Sequence, residues 1–215
     1  MGDLLLGIEA LQFLKEEGFS VLESRVAKEE EEAVRIAREI GFPITLKISS
    51  KRVLHKTEIG GVRTGIIDEG GVRKNFNDLL EQLFISIGKE CIEGIIVQES
   101  GKGFELIVGF YEDSQFGKVI MFGQGGIYVE ALADVTFRLL PIKRKDAKSM
   151  IEELSISKAL FSPRQNYANL KSVEDFLIKV SDLTMRRPEI KELDLNPVFL
   201  AENMKICDAR IKLGK

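Results

Sequence analysis

The sequence predicts an α+β fold, in which helices and strands alternate along the chain as they do in α/β proteins. Segments with an apolar stripe at helical spacing are interleaved with short segments whose apolar residues alternate or run continuously, which is typical of strands. At 215 residues the chain is long enough to bury one large core or two small ones. It contains no P-loop and no strand followed by a G-x-G-x-x-G that opens a helix, so those two nucleotide-binding folds are disfavoured.

The first half of the chain is predicted to alternate helices with strands. Apolar stripes predict helices over Ile8–Glu17, Glu29–Ile40 and Val72–Cys91. Ile44–Ser49 alternates apolar with polar residues, which predicts a strand with one buried face. Glu93–Glu99 is almost continuously apolar, which predicts a strand buried on both faces. The two glycines just before the third helix predict a turn.

The second half of the chain is predicted to be richer in strands. Its strands are recognised by alternating or continuous apolar character, and its helices by capping residues at their starts. The predicted elements are strands over Phe104–Phe110, Lys118–Phe122 and Val135–Ile142, helices starting at Asp146 and Ser172, and two strands, Glu189–Leu200 and Lys205–Ile211.

Composition and charge disfavour several classes of protein. The net charge of −3 and the pI near 5.5 argue against a nucleic-acid-binding protein, which usually carries a basic surface. No stretch approaches the roughly 20 apolar residues that span a membrane, and the N-terminus lacks the basic region of a secretory signal. Cys91 and Cys207 lie far apart without metal-ligand spacing, which predicts reduced thiols. We therefore expect a cytoplasmic protein with no nucleic-acid or membrane partner.

The strand at 44–49 and the loop after it carry the strongest candidates for chemistry. Lys47 and Ser49 lie on the polar face of the strand, so the lysine points away from the core, as a phosphate-binding lysine must. His55 is the only histidine, and a neutral imidazole nitrogen is a competent nucleophile toward phosphorus. The Gly60–Gly61 pair can bring backbone N–H groups close to an anion. A structural histidine and a simple hairpin turn are the alternatives.

Two charged residues on later strands are also candidates. Glu105 lies on an otherwise apolar strand, and burying a carboxylate without a partner would cost several kcal/mol. It is therefore expected to meet a ligand, a cation or an arginine. Arg138 lies on the strand face opposite Phe137 and Leu139, so it would face the active site if that apolar face is core.

The C-terminal strands support the most explicit geometric prediction. If their hairpin is centred on Glu202, Asn196 and Asp208 lie opposite one another, because each is six residues from the centre. Opposed residues have Cβ atoms about 4.5–5.5 Å apart. That spacing suits two oxygen ligands of a magnesium ion that also holds nucleotide phosphates. The alternative is that Asn196–Pro197 bends the strand and Asp208 caps a turn.

Four stretches of the sequence resemble one protein family, in the family's order and over nearly the whole chain. They are Leu54–Val62 (LHKTEIGGV), Gly109–Gly117 (GFYEDSQFG), Met121–Glu130 (MFGQGGIYVE), and Asp194–Val198 (DLNPV) with Cys207–Arg210 (CDAR). The family that they resemble is the nucleotide-binding β subunits of ADP-forming acetyl-CoA synthetases. These belong, with succinyl-CoA synthetase, to the acyl-CoA synthetase (NDP-forming) superfamily.

The resemblance implies an ATP-grasp fold with nucleotide bound between two lobes. The small lobe would comprise residues 1–94 and the large lobe residues 95–215. The glycine-containing stretch after the buried strand would be the hinge between them. Gln98, Glu99 and Ser100 would hold the adenine there, with a plain polar loop as the alternative.

The same resemblance implies a function. The chain would be one subunit of an acid–thiol ligase that interconverts acyl-CoA, ADP and phosphate with free acid, ATP and CoA. Asn196 and Asp208 would bind Mg²⁺. Lys47 would hold the phosphates of ATP or ADP, and His55 would accept a phosphoryl group as a relay.

No CoA-binding module is evident in the sequence, so a CoA-binding α subunit would complete the enzyme as an α₂β₂ heterotetramer. Two other functions stay open. One is an ATP-grasp ligase that forms an acyl-phosphate directly, and the other is a nucleotide-sensing subunit without chemistry.

Overall fold

The computed structural model describes residues 3–50, 59–88, 91–126, 134–157 and 170–214. The chain divides into two compact units. The smaller unit is Leu22–Ser100, and the larger unit joins Met1–Val21 to Gly101–Lys215.

These boundaries differ from the predicted division into 1–94 and 95–215. The N-terminal residues belong to the larger unit, because β1 (Leu4–Leu6) pairs antiparallel with β11 (Ala209–Leu213). The smaller unit extends past residue 94 because the whole of β5 (Gly94–Glu99) pairs inside its sheet. Pairing between strands that are distant in sequence leaves no trace in local periodicity, so neither feature was predicted.

In the part of the chain that the structure describes, the smaller unit is a four-stranded antiparallel sheet with two helices on one face. Its elements are β2 (Ser24–Ala27), α2 (Glu30–Ile40), β3 (Ile44–Ser49), β4 (Val62–Ile66), α3 (Glu69–Ile87) and β5. The strand order is β2-β5-β3-β4. The core that joins sheet and helices includes Ile44, Leu46 and Ile48 of β3, Ile95 and Val97 of β5, Val34 and Ala37 of α2, and Phe76 and Leu79 of α3.

α3 begins three residues earlier than predicted. Glu69–Gly71, predicted as a turn, forms the start of the helix, because the Asp68 carboxylate accepts a hydrogen bond from the Gly71 N–H (2.7 Å) and so caps the helix. The helix ends at Ile87, before the predicted end at Cys91. Gly88 follows with a φ of 83°, a left-handed conformation that favours glycine.

Over the described ranges, the larger unit is a seven-stranded antiparallel sheet with three helices on one face. Its elements are β1, α1 (Ile8–Glu16), β6 (Phe104–Asp113), β7 (Gly117–Gln124), β8 (Val135–Leu139), α4 (Arg144–Glu153), α5 (Leu170–Arg186), β9 (Ile190–Leu200), β10 (Met204–Ile206) and β11. The strand order is β1-β11-β9-β6-β7-β8, and β10 pairs with β9. None of the helices in the described ranges combines the length and apolar character that a membrane crossing requires.

One face of the larger sheet is buried under its helices. The side chains that fill this core include Leu106, Val108 and Phe110 of β6, Ile120 and Phe122 of β7, Leu11 and Leu14 of α1, Met150 and Ile151 of α4, and Leu177 and Val180 of α5. The alternating residues of the same strands point to the second face of the sheet. Tyr111 and Arg210 are among the exposed residues there.

The turn between β6 and β7 is held by Asp113. Its Oδ1 accepts hydrogen bonds from the N–H groups of Phe116 and Gln115, both at 2.8 Å. These two bonds hold the pKa of the Asp113 carboxyl below its usual range. The stretch Gly109–Gly117, one of the four that resemble the family, is therefore a closed hairpin.

Candidate functional site

In the smaller unit, Lys47 lies on the sheet face opposite the helices. The predicted alternation is confirmed, since Ile44, Leu46 and Ile48 are fully buried in the core. Lys47 therefore points to the other face. It is nevertheless only 8% exposed. A ligand phosphate would suit this position, because opposite charges attract more strongly where little water competes for them.

The predicted nucleophile, His55, lies outside the described residues, which stop at Ser50 and resume at Ile59. The strand end before it is described. The Ser49 hydroxyl donates a hydrogen bond to Oε2 of Glu93 (3.1 Å). A nucleotide contact by Ser49 would therefore have to share or replace this bond.

A row of hydrogen-bonded polar side chains crosses the same sheet face as Lys47. Ser24 of β2 and Thr45 of β3 both lie opposite Gln98 of β5. Gln98 is 2% exposed, and its Nε2 donates to Oγ of Ser24 (2.7 Å). Thr45 Oγ1 lies 3.4 Å from Ser100 Oγ. Ser24 was missed at the sequence level because β2 itself was not predicted.

The end of β5 is tied to neighbouring backbone. The Glu99 N–H donates to the carbonyl of Glu23 (2.8 Å), and Oε2 of Glu99 accepts from the Glu23 N–H (3.3 Å). The Ser100 N–H donates to the carbonyl of Pro43 (3.4 Å). Of the three residues predicted to hold adenine, Gln98 and Glu99 thus lie in a strand rather than in a polar loop. Their contact with a nucleotide stays a prediction.

Gly60 and Gly61 lie just before β4, which pairs antiparallel with β3. Gly60 has a φ of 67°, and the carbonyl of Gly61 accepts from the N–H of Ile48 (2.9 Å). The pair therefore belongs to a hairpin connection, as the alternative interpretation of the sequence holds, and its anion-binding role stays a prediction. Arg63 and Gln82 contact the same connection, and the sequence analysis did not identify either of them.

In the larger unit, the predicted register of the C-terminal hairpin is confirmed. Strand pairs on both sides of the candidate ligands centre the hairpin on Glu202, so Asn196 stands opposite Asp208. The N–H of Asn196 donates to the carbonyl of Asp208 (3.2 Å). The second strand was predicted to be continuous over Lys205–Ile211. It is instead interrupted, because β10 ends at Ile206 and β11 begins at Ala209.

A β-bulge in β9 coincides with Asn196. Leu106 of β6 pairs with Val198, whereas Val108 pairs with Leu195, so β9 has one more residue than β6 in this interval. A bulge locally redirects the side chains of the longer strand. The sequence signal for it is the Asn196–Pro197 step, since proline lacks the N–H that a regular ladder needs.

The chemistry of Asn196 and Asp208 fits a magnesium ion. Mg²⁺ prefers hard oxygen ligands and is usually held by one or two protein side chains together with substrate phosphates. Both residues are half-buried, and Oδ1 of Asp208 also accepts from the N–H of Ala209 (3.0 Å). Within the described ranges, no group of three or more acidic, histidine or cysteine side chains could hold a metal on its own. A metal on this pair would need phosphate oxygens to complete its coordination.

Glu105 is exposed, so the burial cost from which a ligand, cation or arginine partner was predicted does not arise, and its contact with a nucleotide stays a prediction. It lies on the second face of the larger sheet, next to the glycine loop Gly123–Gly126. Its carbonyl accepts from the N–H of Gly125 (2.8 Å), and a Cβ at Gly126 would lie 2.4 Å from its Oε2. Gly126 has a φ of 75°, a left-handed conformation that favours glycine. The structure therefore brings together two features that the sequence analysis treated separately.

The face predicted for Arg138 was wrong. Phe137 and Leu139 are 47% and 57% exposed, so their face of β8 is not core. Arg138 instead points to the helix-covered face, where it donates to Oγ of Ser149 (2.9 Å) and pairs with Glu153, both on α4. Alternation identifies which residues share a face, but only packing decides which face is covered.

The comparisons with known proteins agree with the resemblance noted in the sequence. The family model of the ATP-grasp domain matches residues 2–213. The chain is 39% identical to the β subunit of ADP-forming acetate–CoA ligase I from Pyrococcus furiosus, over 95% of this chain and 90% of that one. It is also 39% identical to ADP-forming acetate–CoA ligase I from Archaeoglobus fulgidus, over 100% of this chain and 32% of that one. The chain thus spans about a third of the length of this second relative.

Solved structures are similar over the same extent. Acetyl-coenzyme A synthetase 1 of Ca. Korarchaeum cryptofilum, in complex with coenzyme A and Ca-AMPCP, matches with a TM-score of 0.91 and 42% identity, over 98% of this chain and 93% of that one. A structure of the same enzyme with coenzyme A and Mg-AMPPCP has its phosphohistidine segment pointing towards the nucleotide-binding site. It matches with a TM-score of 0.82 and 39% identity, also over 98% and 93% of the two chains.

Proposed function

Because the chain belongs to the ATP-grasp family and, within it, to the group of β subunits of ADP-forming acetate–CoA ligases, we propose that it is the nucleotide-handling subunit of such a ligase. The complete enzyme would convert acyl-CoA, ADP and phosphate into free acid, ATP and CoA, and would catalyse the reverse reaction. The observation that carries this proposal is the agreement over almost the whole length of the chain with β subunits of nearly the same size.

In this proposal Lys47, a row of polar side chains and a metal-binding pair serve nucleotide binding. Lys47 contacts the phosphates with its ammonium group, and burial strengthens that attraction because little water competes for the charge. The row of Ser24, Gln98 and Thr45 offers amide and hydroxyl groups for the base. Asn196 and Asp208 would hold Mg²⁺, and the bound ion would neutralise negative charge on the phosphoryl group during its transfer.

His55 would act as the phosphoryl relay. In the direction that consumes ATP, a ring nitrogen attacks the γ-phosphorus, a P–N bond forms, and the bond to the ADP oxygen breaks. In the reverse direction the β-phosphate oxygen of ADP attacks the phosphohistidine and the imidazole leaves. The motif around His55 and the phosphohistidine segment of the solved relative support this role.

A CoA-binding partner would complete the enzyme, and we propose an α₂β₂ assembly. The support is the length of the relatives. In one ligase the segment similar to this chain is about a third of a single longer polypeptide, and in another the similar protein is a separate β subunit. Two buried thiols, Cys91 and Cys207, fit a reducing compartment, which supports a cytoplasmic location.

Labelling with γ-³²P-ATP and Mg²⁺ tests the proposed function, with and without the purified α subunit from the same source. We expect a label on this chain that is stable in alkali and lost in acid. The chain has a single histidine, so any phosphohistidine on it reports His55. Separation of the two subunits on a gel distinguishes this label from one on the partner.

The matched variant is His55→Ala. It should abolish both the label and net turnover while the Kd for ATP stays within about twofold of wild type, because the imidazole is needed for transfer and not for binding. If the wild-type chain binds ATP but is not labelled, the relay is excluded. Persisting turnover would then favour a ligase that forms an acyl-phosphate directly, and absent turnover would favour a nucleotide sensor.

A further inference from the structure

The turn that follows the His55 segment is held by two side chains from different elements. Nη1 of Arg63 on β4 donates to the carbonyl of Gly60 (2.6 Å), and Nε2 of Gln82 on α3 donates to the carbonyl of Ile59 (3.1 Å). The two side chains are joined to each other, since Nη2 of Arg63 donates to Oε1 of Gln82 (2.7 Å). We call this arrangement the Arg63–Gln82 clamp.

The clamp is a closed and specific arrangement. Two consecutive carbonyls of the turn are each bound by one of two bonded side chains, so neither carbonyl can rotate away without breaking the clamp. Gly60 is required for this approach, because a Cβ there would lie 2.6 Å from Nε2 of Gln82. Its φ of 67° also favours glycine. The oxygens that accept these bonds from Arg63 are two backbone carbonyls and one side-chain amide.

The clamped turn lies close to His55 in the chain. Ile59 follows His55 by four residues, and the Ile48 N–H bonds to the carbonyl of Gly61 (2.9 Å) on the opposite strand. The position of the clamped turn therefore sets where the chain that carries His55 rejoins the sheet. We propose that Arg63 and Gln82 are positioning residues for phosphoryl transfer to His55, acting through the turn at Ile59–Gly60. This inference rests on the proposed relay role of His55.

The physical reason is the steep dependence of transfer on alignment. A phosphoryl group passes in line between donor and acceptor, and misplacement of a reacting group by about 1 Å can cost on the order of 100-fold in rate. A loose attachment at Ile59 would spread the imidazole over more positions. The three hydrogen bonds that define the clamp involve neither Lys47 nor the Ser24–Gln98 row, so we expect substitutions in the clamp to change the transfer rate more than nucleotide affinity.

The test measures the single-turnover rate of His55 phosphorylation from γ-³²P-ATP in the full-length chain with its α subunit. Arg63→Met keeps the length and apolar stem of the side chain but removes its donors. We expect the rate to fall between about tenfold and 100-fold, while the Kd for ADP stays within about twofold. Arg73→Met is the matched control, because Arg73 lies in the same unit and pairs with Glu30 and Glu31 away from the turn. It should leave both quantities unchanged.

Two further variants test whether the clamp works as a unit. The double variant Arg63→Met/Gln82→Met should phosphorylate His55 at a rate within about twofold of that of the slower single variant. The reason is that either change alone already opens the clamp. Gln82→Glu keeps an acceptor for Arg63 but loses the donor to the carbonyl of Ile59, so its rate should be intermediate.

Three results would overturn the inference. One is an unchanged phosphorylation rate in folded Arg63→Met. Another is a variant in which ADP affinity falls by the same factor as the phosphorylation rate and the melting temperature also falls, which indicates a purely structural role. The third is a wild-type chain that binds ATP but is never labelled, which would remove the proposed relay and this inference together; the first two results would leave the relay in place.

Discussion

The two units carry their candidate groups in different ways. In the smaller unit the polar groups are buried, with Gln98 at 2% and Lys47 at 8% exposure, and they lie across three strands that are not sequential neighbours. In the larger unit Asn196 and Asp208 are half-buried and face each other across one hairpin. A site built from a hairpin can be predicted from sequence, whereas a site built across distant strands requires the sheet order.

In the proposed function, this difference separates two roles. Polar groups that are shielded from water interact more strongly with a ligand, so the smaller unit is suited to binding and selecting the nucleotide. A pair of half-exposed oxygen ligands that needs phosphate oxygens to complete a metal site is suited to the transfer step. Substitutions in the two units should therefore change different kinetic quantities.

The largest effect is expected at the metal pair. Asp208→Asn keeps the shape of the side chain and removes its charge, so kcat for ATP formation should fall on the order of 100-fold, with a raised Mg²⁺ requirement. Initial rates of the complete enzyme across a Mg²⁺ titration measure both. Glu192→Gln is the matched control, because it removes a carboxylate from β9, the strand that carries Asn196, where Glu192 pairs with Lys212. An unchanged Mg²⁺ requirement in Asp208→Asn would contradict the metal role.

A smaller effect, on binding, is expected in the other unit. Lys47→Met removes a charged hydrogen-bond donor from a buried position, which should weaken MgADP binding by roughly tenfold to 100-fold. Isothermal titration calorimetry measures the Kd. Lys28→Met, at an exposed lysine of the same unit, should have almost no effect. Equal Kd values for the two variants would show that Lys47 does not hold phosphate.

The smallest effect is expected at Arg138, on the helix-covered face of the larger sheet. Arg138→Met should leave the Kd for MgADP within about twofold and lower the free energy of unfolding by about 0–1 kcal/mol, the range for a partly exposed ion pair. Denaturant unfolding and calorimetry measure the two quantities. A tenfold loss of affinity would instead restore the nucleotide contact that the sequence analysis predicted for this residue.

Lys47 and Arg138 show where the same reasoning succeeds and fails. Both were placed by the alternation of side chains along a strand. For Lys47 the apolar side of the strand is core, and its orientation was predicted correctly. For Arg138 the apolar side is exposed, because α4 covers the face that carries Thr136 and Arg138, where Oγ1 of Thr136 donates to the carbonyl of Met150 (3.2 Å).

The sequence by itself determined the features that depend on local chemistry. These are the family, most helices and strands, the orientation of Lys47, and the register that sets Asn196 against Asp208. Each follows from the period of a helix or strand, from a turn, or from a motif, all of which are read within a short stretch of chain.

Only the tertiary structure decided the features that depend on distant pairing. It joined β1 to β11, added β2 and with it Ser24 to the face of Lys47, put Glu105 against Gly126, and closed Arg63 onto Gln82. The physical reason is common to all four. A contact between residues far apart in sequence depends on how whole strands and helices pack, and local periodicity carries no information about that packing.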